Sequence, residues 1–295
     1  SFFALKHTIG VITNIELEHT DCYNDLQDLQ DTFLQFAQAV PFYGEVIVCM
    51  DSPALFEILP KITRPVTTYG LSDGADYQAV NLSFDAFSST YFIKHHNSII
   101  GDITLNVPGE HNILNSLAAV IIGLEMGLDF ETVKDGIHSY EGVRRRFELK
   151  GIENNIMVVD DYAHHPTEVL ATLNAAKAGW DRRLISVFQP HLFSRTQEFF
   201  REFGQALITS DIVIITDIYP AREKPLPGIT GEMIYKECIN SGHAQVSYVP
   251  DLDDVILALD NLVIPGDLVI TLGAGNIWRY SEKYIQHLST VNAEV

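Results

Sequence analysis

Val158-Val159-Asp160-Asp161-Tyr162-Ala163-His164-His165-Pro166-Thr167-Glu168 is the stretch that decides the fold. An apolar run stops at two carboxylates. An aromatic ring and two imidazoles follow, then Pro166 and a helical pattern. Proline fits the first turn of a helix, where its missing N–H is one of the unpaired donors anyway. The stretch therefore reads as a buried strand, a turn and a helix. In open α/β sheets ligands bind outside the carboxyl ends of the strands, and this turn holds more titratable groups than local capping requires.

The same alternation continues outward. Strands are predicted at 156–160, 183–188, 211–216, 245–249 and 268–272, with helices at 166–177, up to about 208, at 231–240 and 252–261, and after Gly273-Ala274-Gly275-Asn276. Repeated strand and helix imply a mainly parallel, doubly wound sheet. Gly273-x-Gly275 lacks the third glycine of a dinucleotide fingerprint and follows the last strand, not the first. It reads as a turn that comes close to a ligand or to a neighbouring backbone. After the second strand comes Gln189-Pro190-His191-Leu192-Phe193-Ser194-Arg195-Thr196. There His191 can act on protons and Arg195 can hold a carboxylate. The plainer alternative is a helix capped by Ser194 with a surface arginine.

Before residue 156 the texture differs. A strand at 7–13 ends in Asn14-Ile15-Glu16-Leu17-Glu18-His19-Thr20-Asp21. Its carboxylates and imidazole suit a hard or borderline cation, and a solvated polar turn is the alternative. A helix at 26–40, strands at 46–50 and 65–69 and a short helix at 53–59 follow. Antiparallel strands then fill 77–107, with His95-His96-Asn97 at a hairpin tip. Gly109-Glu110-His111-Asn112-Ile113-Leu114-Asn115 opens a helix whose first N–H groups and dipole favour an anion; an Asn-capped core helix is the alternative. Arg144-Arg145-Arg146 offers guanidinium groups to phosphate oxygens, or else a solvated face. The turn-rich residues 151–155 place a domain boundary there, dividing the chain into 1–150 and 151–295 with Arg145 in the first domain.

The chain has 295 residues, 46% of them hydrophobic, and a net charge of −20. Such an acidic balance argues against a duplex nucleic acid partner, which calls for clustered Lys and Arg. No apolar run approaches the length of about 18 needed to span a bilayer. Cys22, Cys49 and Cys238 lie far apart with no CxxC spacing, so no disulfide partner and no zinc site are expected, and a cytoplasmic location is natural.

Taken in order, TNIELEH (13–19), PGEHNILNSLAA (108–119), GVRRRFE (142–148), DDYAHHPTE (160–168) and FQPHLFSRT (188–196) resemble the Mur ligases of peptidoglycan synthesis. The resemblance implies an α/β fold: a central Mur-ligase ATP-binding domain, truncated at its N-terminal side, followed by a Rossmann-like, doubly wound C-terminal domain. It implies an ATP-dependent amide ligase using Mg²⁺. The motifs are nearest to the branch whose partners are UDP-N-acetylmuramate and L-alanine. In that branch the lactyl carboxylate becomes an acyl phosphate, which the amine of alanine attacks. By position in the motifs, His19 and Glu16 would meet Mg²⁺, with His19 next to the reaction. His111, Asn112 and Asn115 would meet the adenine end of ATP, and Arg145, Arg146 and Asp161 the rest of the nucleotide. Tyr162, His164 and His165 would position substrates, His164 at the reacting end. His191 and Arg195 would hold the amino-acid carboxylate.

The chain departs from the family in three ways. Leu192 stands where some relatives carry arginine. No G-x-x-G-K-T loop occurs, and neither the acidic segment nor the UDP-gripping domain that would precede Ser1 is present. The chain thus looks like the family without roughly its first third. On this reading it is inactive alone and needs its two domains to close on a phosphate loop supplied from elsewhere. A non-catalytic remnant, and the related recycling ligase that adds a tripeptide, are the competing readings.

Overall fold

The computed structural model describes residues 7–17, 23 and 25–293. They form two compact units, Ser1–Glu141 and Gly142–Val295.

In the first unit, β1 (Ile9–Ile12), β2 (Glu45–Cys49), β3 (Val66–Gly70), β4 (Tyr77–Asp85), β5 (Ser88–His95) and β6 (Ser98–Leu105) lie side by side in sequence order. The first four are parallel, and β5 and β6 add antiparallel. Helices α1 (Leu26–Gln38), α2 (Pro53–Ile58), α3 (Glu110–Glu125) and α4 (Phe130–His138) complete it. Val46, Ile47 and Val48 are fully buried, as the contiguous apolar run of a parallel strand requires. The sheet is tied to α3 by the Tyr91 hydroxyl, 2.8 Å from Ser116 Oγ. The hairpin tip falls at His96-Asn97 as expected, with His96 at φ 51°.

The second unit orders its strands β11-β10-β9-β12-β8-β7. They are β7 (Glu148–Glu153), β8 (Ile156–Asp161), β9 (Leu184–Phe188), β10 (Ile212–Ile215), β11 (Val246–Tyr248) and β12 (Leu268–Leu272). All are parallel except β7, which runs antiparallel to β8. The connecting helices are α5 (Pro166–Gly179), α6 (Phe193–Leu207), α7 (Glu232–Asn240) and α8 (Val255–Asp260), with α9 (Trp278–Ala293) last. The chain passes from β8 to β9 leaving one sheet position open, and β12 fills it at the end. The strand order thus reverses among β8, β12 and β9. In a doubly wound sheet that reversal opens a crevice at the carboxyl ends.

The boundary differs from the sequence expectation, and so does the placement of Arg145. Residues 151–155 are no linker. Gly151 to Glu153 belong to β7, and Asn154 (φ 54°) and Asn155 (φ 60°) form the two-residue turn into β8. Two successive residues at positive φ are what a tight hairpin of the right twist demands, and asparagine tolerates them. Arg144, Arg145 and Arg146 consequently lie in the second unit. There Tyr162 N donates to Arg145 O at 2.7 Å, and Phe147 N donates to Asp161 Oδ2 at 2.8 Å.

Among the described residues no helix is long and apolar enough to cross a membrane. Cys49 and Cys238 are buried and free, and Cys22 lies outside the described residues.

Candidate functional site

The carboxyl ends of β8, β9 and β12 bring three of the sequence clusters together in the second unit. Backbone bonds tie these ends side by side: Gly273 N donates to Asp161 O at 3.1 Å and Gln189 N to Leu272 O at 2.9 Å. The Gln189 side chain reaches across, donating to Asn276 Oδ1 at 2.9 Å and accepting from Ile277 N at 3.1 Å. Gly273 sits at φ +144°, and an added Cβ would meet Gln189 O at 2.6 Å. The turn thus approaches a neighbouring backbone, one of the two outcomes read from the Gly-x-Gly pattern.

The two aspartates end β8 with opposite duties. Asp160 is fully buried and accepts from Arg145 Nε at 3.1 Å and from Thr271 Oγ1 at 2.7 Å. Burial raises its carboxyl above the ordinary value, against the pull of Thr271 and Arg145. Asp161 is also buried, and its two oxygens accept backbone N–H groups, from Ala163 at 2.8 Å and Phe147 at 2.8 Å. Burial outweighs both bonds and pushes its carboxyl up to about 6. Arg145 donates its other arm to Gly273 O at 2.6 Å, and its guanidinium lies 4.8 Å from the Tyr162 ring centroid. Arg146 keeps 51% of its side-chain surface exposed and lies 5.5 Å from the same ring.

From Tyr162 a line of rings runs across the strand ends. Tyr162 meets His164 at 5.0 Å, His164 meets His191 edge-on at 6.0 Å, and His191 stacks on Tyr219 at 5.8 Å. His191 is held there because the loops after β9 and β10 continue pairing past the strands: Tyr219 N donates to Pro190 O at 2.8 Å and Leu192 N to Tyr219 O at 3.0 Å. Leu192 caps α6 at φ 71°, a left-handed backbone that costs a side-chain-bearing residue about 1–2 kcal/mol. Ser194 is not the cap, contrary to the plainer alternative. Its N–H and hydroxyl both donate to Glu223, fastening the loop after β10 to the first turn of α6 beside Arg195. His165 points its ring edge at Phe199 of α6, 5.2 Å away, while His164 lies beside His191.

His191 Nδ1 is buried with no hydrogen-bond partner among the described residues. Burial, then the positive charge of Arg195 and of His164, lowers its imidazole from 6.5 to about 4, with Glu223 opposing. His191 is therefore expected to stay neutral throughout mildly acid pH, which its imidazole ¹H–¹⁵N titration would show. The sign for stability follows from the folded value lying below the unfolded one. The contribution is present above about 6.5 and is lost as pH falls toward about 4, because only the unfolded chain gains the proton. The stability gap between the native chain and His191→Gln should move against the native chain over that window. A gap that stays constant with pH would contradict the assignment.

In the first unit, Glu16 follows β1 and is half-buried, accepting from Asn14 Nδ2 at 3.3 Å. His19 lies outside the described residues. His111, Asn112 and Asn115 open α3 behind Gly109 (φ 99°), where Asn112 Nδ2 donates to Pro108 O at 2.7 Å. Asn115 is exposed and His111 half-buried. Among the described residues no three His, Cys, Asp or Glu side chains gather as a metal set.

Residues 2–123 match the Mur ligase middle domain, and residues 145–275 match the Mur ligase, glutamate ligase domain. The chain belongs to the Mur ligase family. Among its relatives is the UDP-N-acetylmuramate–L-alanine ligase of Geotalea uraniireducens, 46% identical over 98% of this chain and 63% of that protein. This Mur ligase chain thus spans somewhat less than two thirds of that relative. Its fold is that of the UDP-N-acetylmuramate–alanine ligase of Thermotoga maritima, with a TM-score of 0.80, 23% identity, and coverage of 98% of this chain and 61% of that one. A murein peptide ligase from Psychrobacter arcticus shares it at TM-score 0.66 and 23% identity, over 97% of this chain and 58% of that one.

Within the Mur ligase C-terminal domain, Glu168 and Glu223 carry no signal in the sequence. Both are ordinary helix-start or loop acids by local pattern. Only their contacts with His164 and Ser194 mark them.

Proposed function

We propose that this chain is the part of an ATP-dependent amide ligase that receives the amino acid, and that the whole protein joins L-alanine to UDP-N-acetylmuramate in peptidoglycan synthesis. The supporting observation is the grouping of Tyr162, His164 and His191 with Arg195 at the ends of β8 and β9. The names of the relatives supply the substrates. ATP would supply the phosphoryl group that makes the muramate carboxylate an electrophile. The residues of this chain do the rest. The Arg195 guanidinium matches a carboxylate in shape and charge and would hold that of alanine. His164 would handle the proton of the amine. A neutral His191 keeps a further positive charge away from an amine that must lose one.

Arg145 donates to Asp160 and Gly273, and Asp161 accepts two backbone N–H groups; Arg146 also meets Glu168, at 3.4 Å, but keeps 51% of its side chain exposed, and it is the guanidinium we assign to phosphate. For Mg²⁺, the Glu16 carboxylate is a suitable donor. Among the described residues no three His, Cys, Asp or Glu side chains gather around it as a metal set. His111, Asn112 and Asn115 would meet the adenine end of ATP.

The test uses the full-length protein. ADP release should require both UDP-N-acetylmuramate and L-alanine. Arg195→Ala should raise the KM for L-alanine by about tenfold or more, as loss of a charged carboxylate contact does. Release that follows a tripeptide and ignores L-alanine would sink the reading.

A further inference from the structure

Glu168 sits at the third position of α5, and its contacts exceed those of a helix cap. Its Oε2 accepts His164 N at 2.9 Å and His165 N at 3.2 Å, which is the ordinary duty of a carboxylate at that position. The same oxygen lies 3.1 Å from Nδ1 of the His164 ring. Nδ1 is also 2.9 Å from the Tyr162 carbonyl oxygen. Two acceptors face this nitrogen. Nδ1 must therefore carry the proton, and the neutral ring has its lone pair on Nε2. The carboxylate is itself held by Arg146, whose Nη1 lies 3.4 Å from Oε1. Burial works to raise Glu168, but His164, the backbone N–H groups and Arg146 outweigh it and keep the carboxyl below its ordinary value.

We propose that Glu168 is a positioning residue for the ligation: it fixes His164 with Nδ1 protonated and Nε2 presented as the proton acceptor for the attacking amine. The proposal rests on the amide-ligase reading above. In that step the amine nitrogen forms the C–N bond, and the carbon–oxygen bond to phosphate breaks with its electron pair leaving on phosphate. One proton passes from nitrogen to Nε2. Nδ1 keeps its own proton throughout, and the imidazolium so formed faces the Glu168 carboxylate. Charged and titratable groups around His164 include Tyr162 on its own turn, Arg146 before β7, and His191, with Arg195 and Glu223 behind it, from the loops after β9 and β10. Glu168 places a carboxylate in direct contact with the His164 ring. An opposite charge at that distance raises an imidazole by about one unit or more.

The experiment compares the ¹⁵N-histidine-labelled 295-residue chain with Glu168→Gln. Glutamine keeps a carbonyl oxygen for the two backbone N–H groups and gives up the charge and the long, half-exposed contact of Oε1 with Arg146, so the thermal midpoint should move little. The native ring should show the Nδ1–H tautomer, and its pKa should fall by about one unit in Glu168→Gln. In the full-length ligase the acid limb of the kcat/KM profile should move down by the same amount, with the KM for L-alanine unchanged. A native Nε2–H tautomer, or a His164 pKa indifferent to Glu168→Gln, overturns the positioning role whatever reaction the protein performs. A shifted pKa beside an unmoved activity profile overturns the role of His164 as proton acceptor.

Discussion

Arg145→Met is expected to lower the unfolding free energy of the second unit by about 3 kcal/mol near neutral pH, the range found when one partner of a buried ion pair is removed. The guanidinium donates to Asp160, which has no exposed surface, and to the carbonyl of Gly273, 128 residues away in the chain. It also covers the rings of Tyr162, at 4.8 Å, and Trp278, at 6.0 Å. Methionine fills much of the same volume but leaves the buried carboxylate with Thr271 Oγ1 as its remaining side-chain donor and the more distant charge of Lys150. Asp160 already titrates above its ordinary value, and without the arginine it climbs further. A raised carboxyl gives stability that is present at low pH and lost as pH rises through the folded value. The deficit of the variant should therefore be small in acid, where Asp160 is neutral in both proteins, and should grow toward neutral pH. Trp180 and Trp278, the two tryptophans of the chain, both belong to the second unit, so fluorescence-monitored urea unfolding reports on this unit. A deficit that is the same at acid and neutral pH would assign the loss to packing instead of charge. No nucleotide is needed for the measurement, which separates this structural lock from any contact with phosphate.

Gly273→Ala should cost a similar amount, about 3 kcal/mol, or prevent folding of the second unit altogether. Two independent terms add. At φ +144° the backbone occupies a region closed to side-chain-bearing residues, a strain of about 1–3 kcal/mol. The new methyl would also stand 2.6 Å from Gln189 O, a backbone atom held in place because Gln189 N donates to Leu272 O at 2.9 Å. Overpacking of this kind costs about 1–3 kcal/mol more. Gly266→Ala is the matched control. It too has a positive φ, +103°, but its nearest neighbour is Asn155 Nδ2 at 4.0 Å. It should lose only the strain term, about 1 kcal/mol. If the two variants unfold at the same urea concentration, the close approach of β12 and β9 is not what requires glycine at 273.

The misplaced boundary shows what a linear reading lacks. β7 is an edge strand with one neighbour, so none of its residues is fully buried and it resembles a polar connection. The paired asparagines at its end look alike in a linker and in a hairpin, and only the pairing of Glu153 with Ile156 tells them apart. Asp161 illustrates the same gap. Its place in the motif marks it as a candidate, but only the fold shows it buried and accepting the N–H groups of Phe147 and Ala163.

The alternation of strands and helices and the mainly parallel sheet of the second unit are legible along the chain. Doubly covered strands are near-continuous apolar runs, and those of β8, β9, β10 and β12 are visible without a structure. The turns that carry titratable groups are equally legible. Only the tertiary structure decided that β12 enters between β8 and β9, that Arg145 locks strand ends together while Arg146 stays exposed, and that Glu168 faces His164 Nδ1. Periodicity along a chain reports burial, a local property. The partner that completes a buried charge or sets a tautomer is chosen by packing between segments distant in sequence.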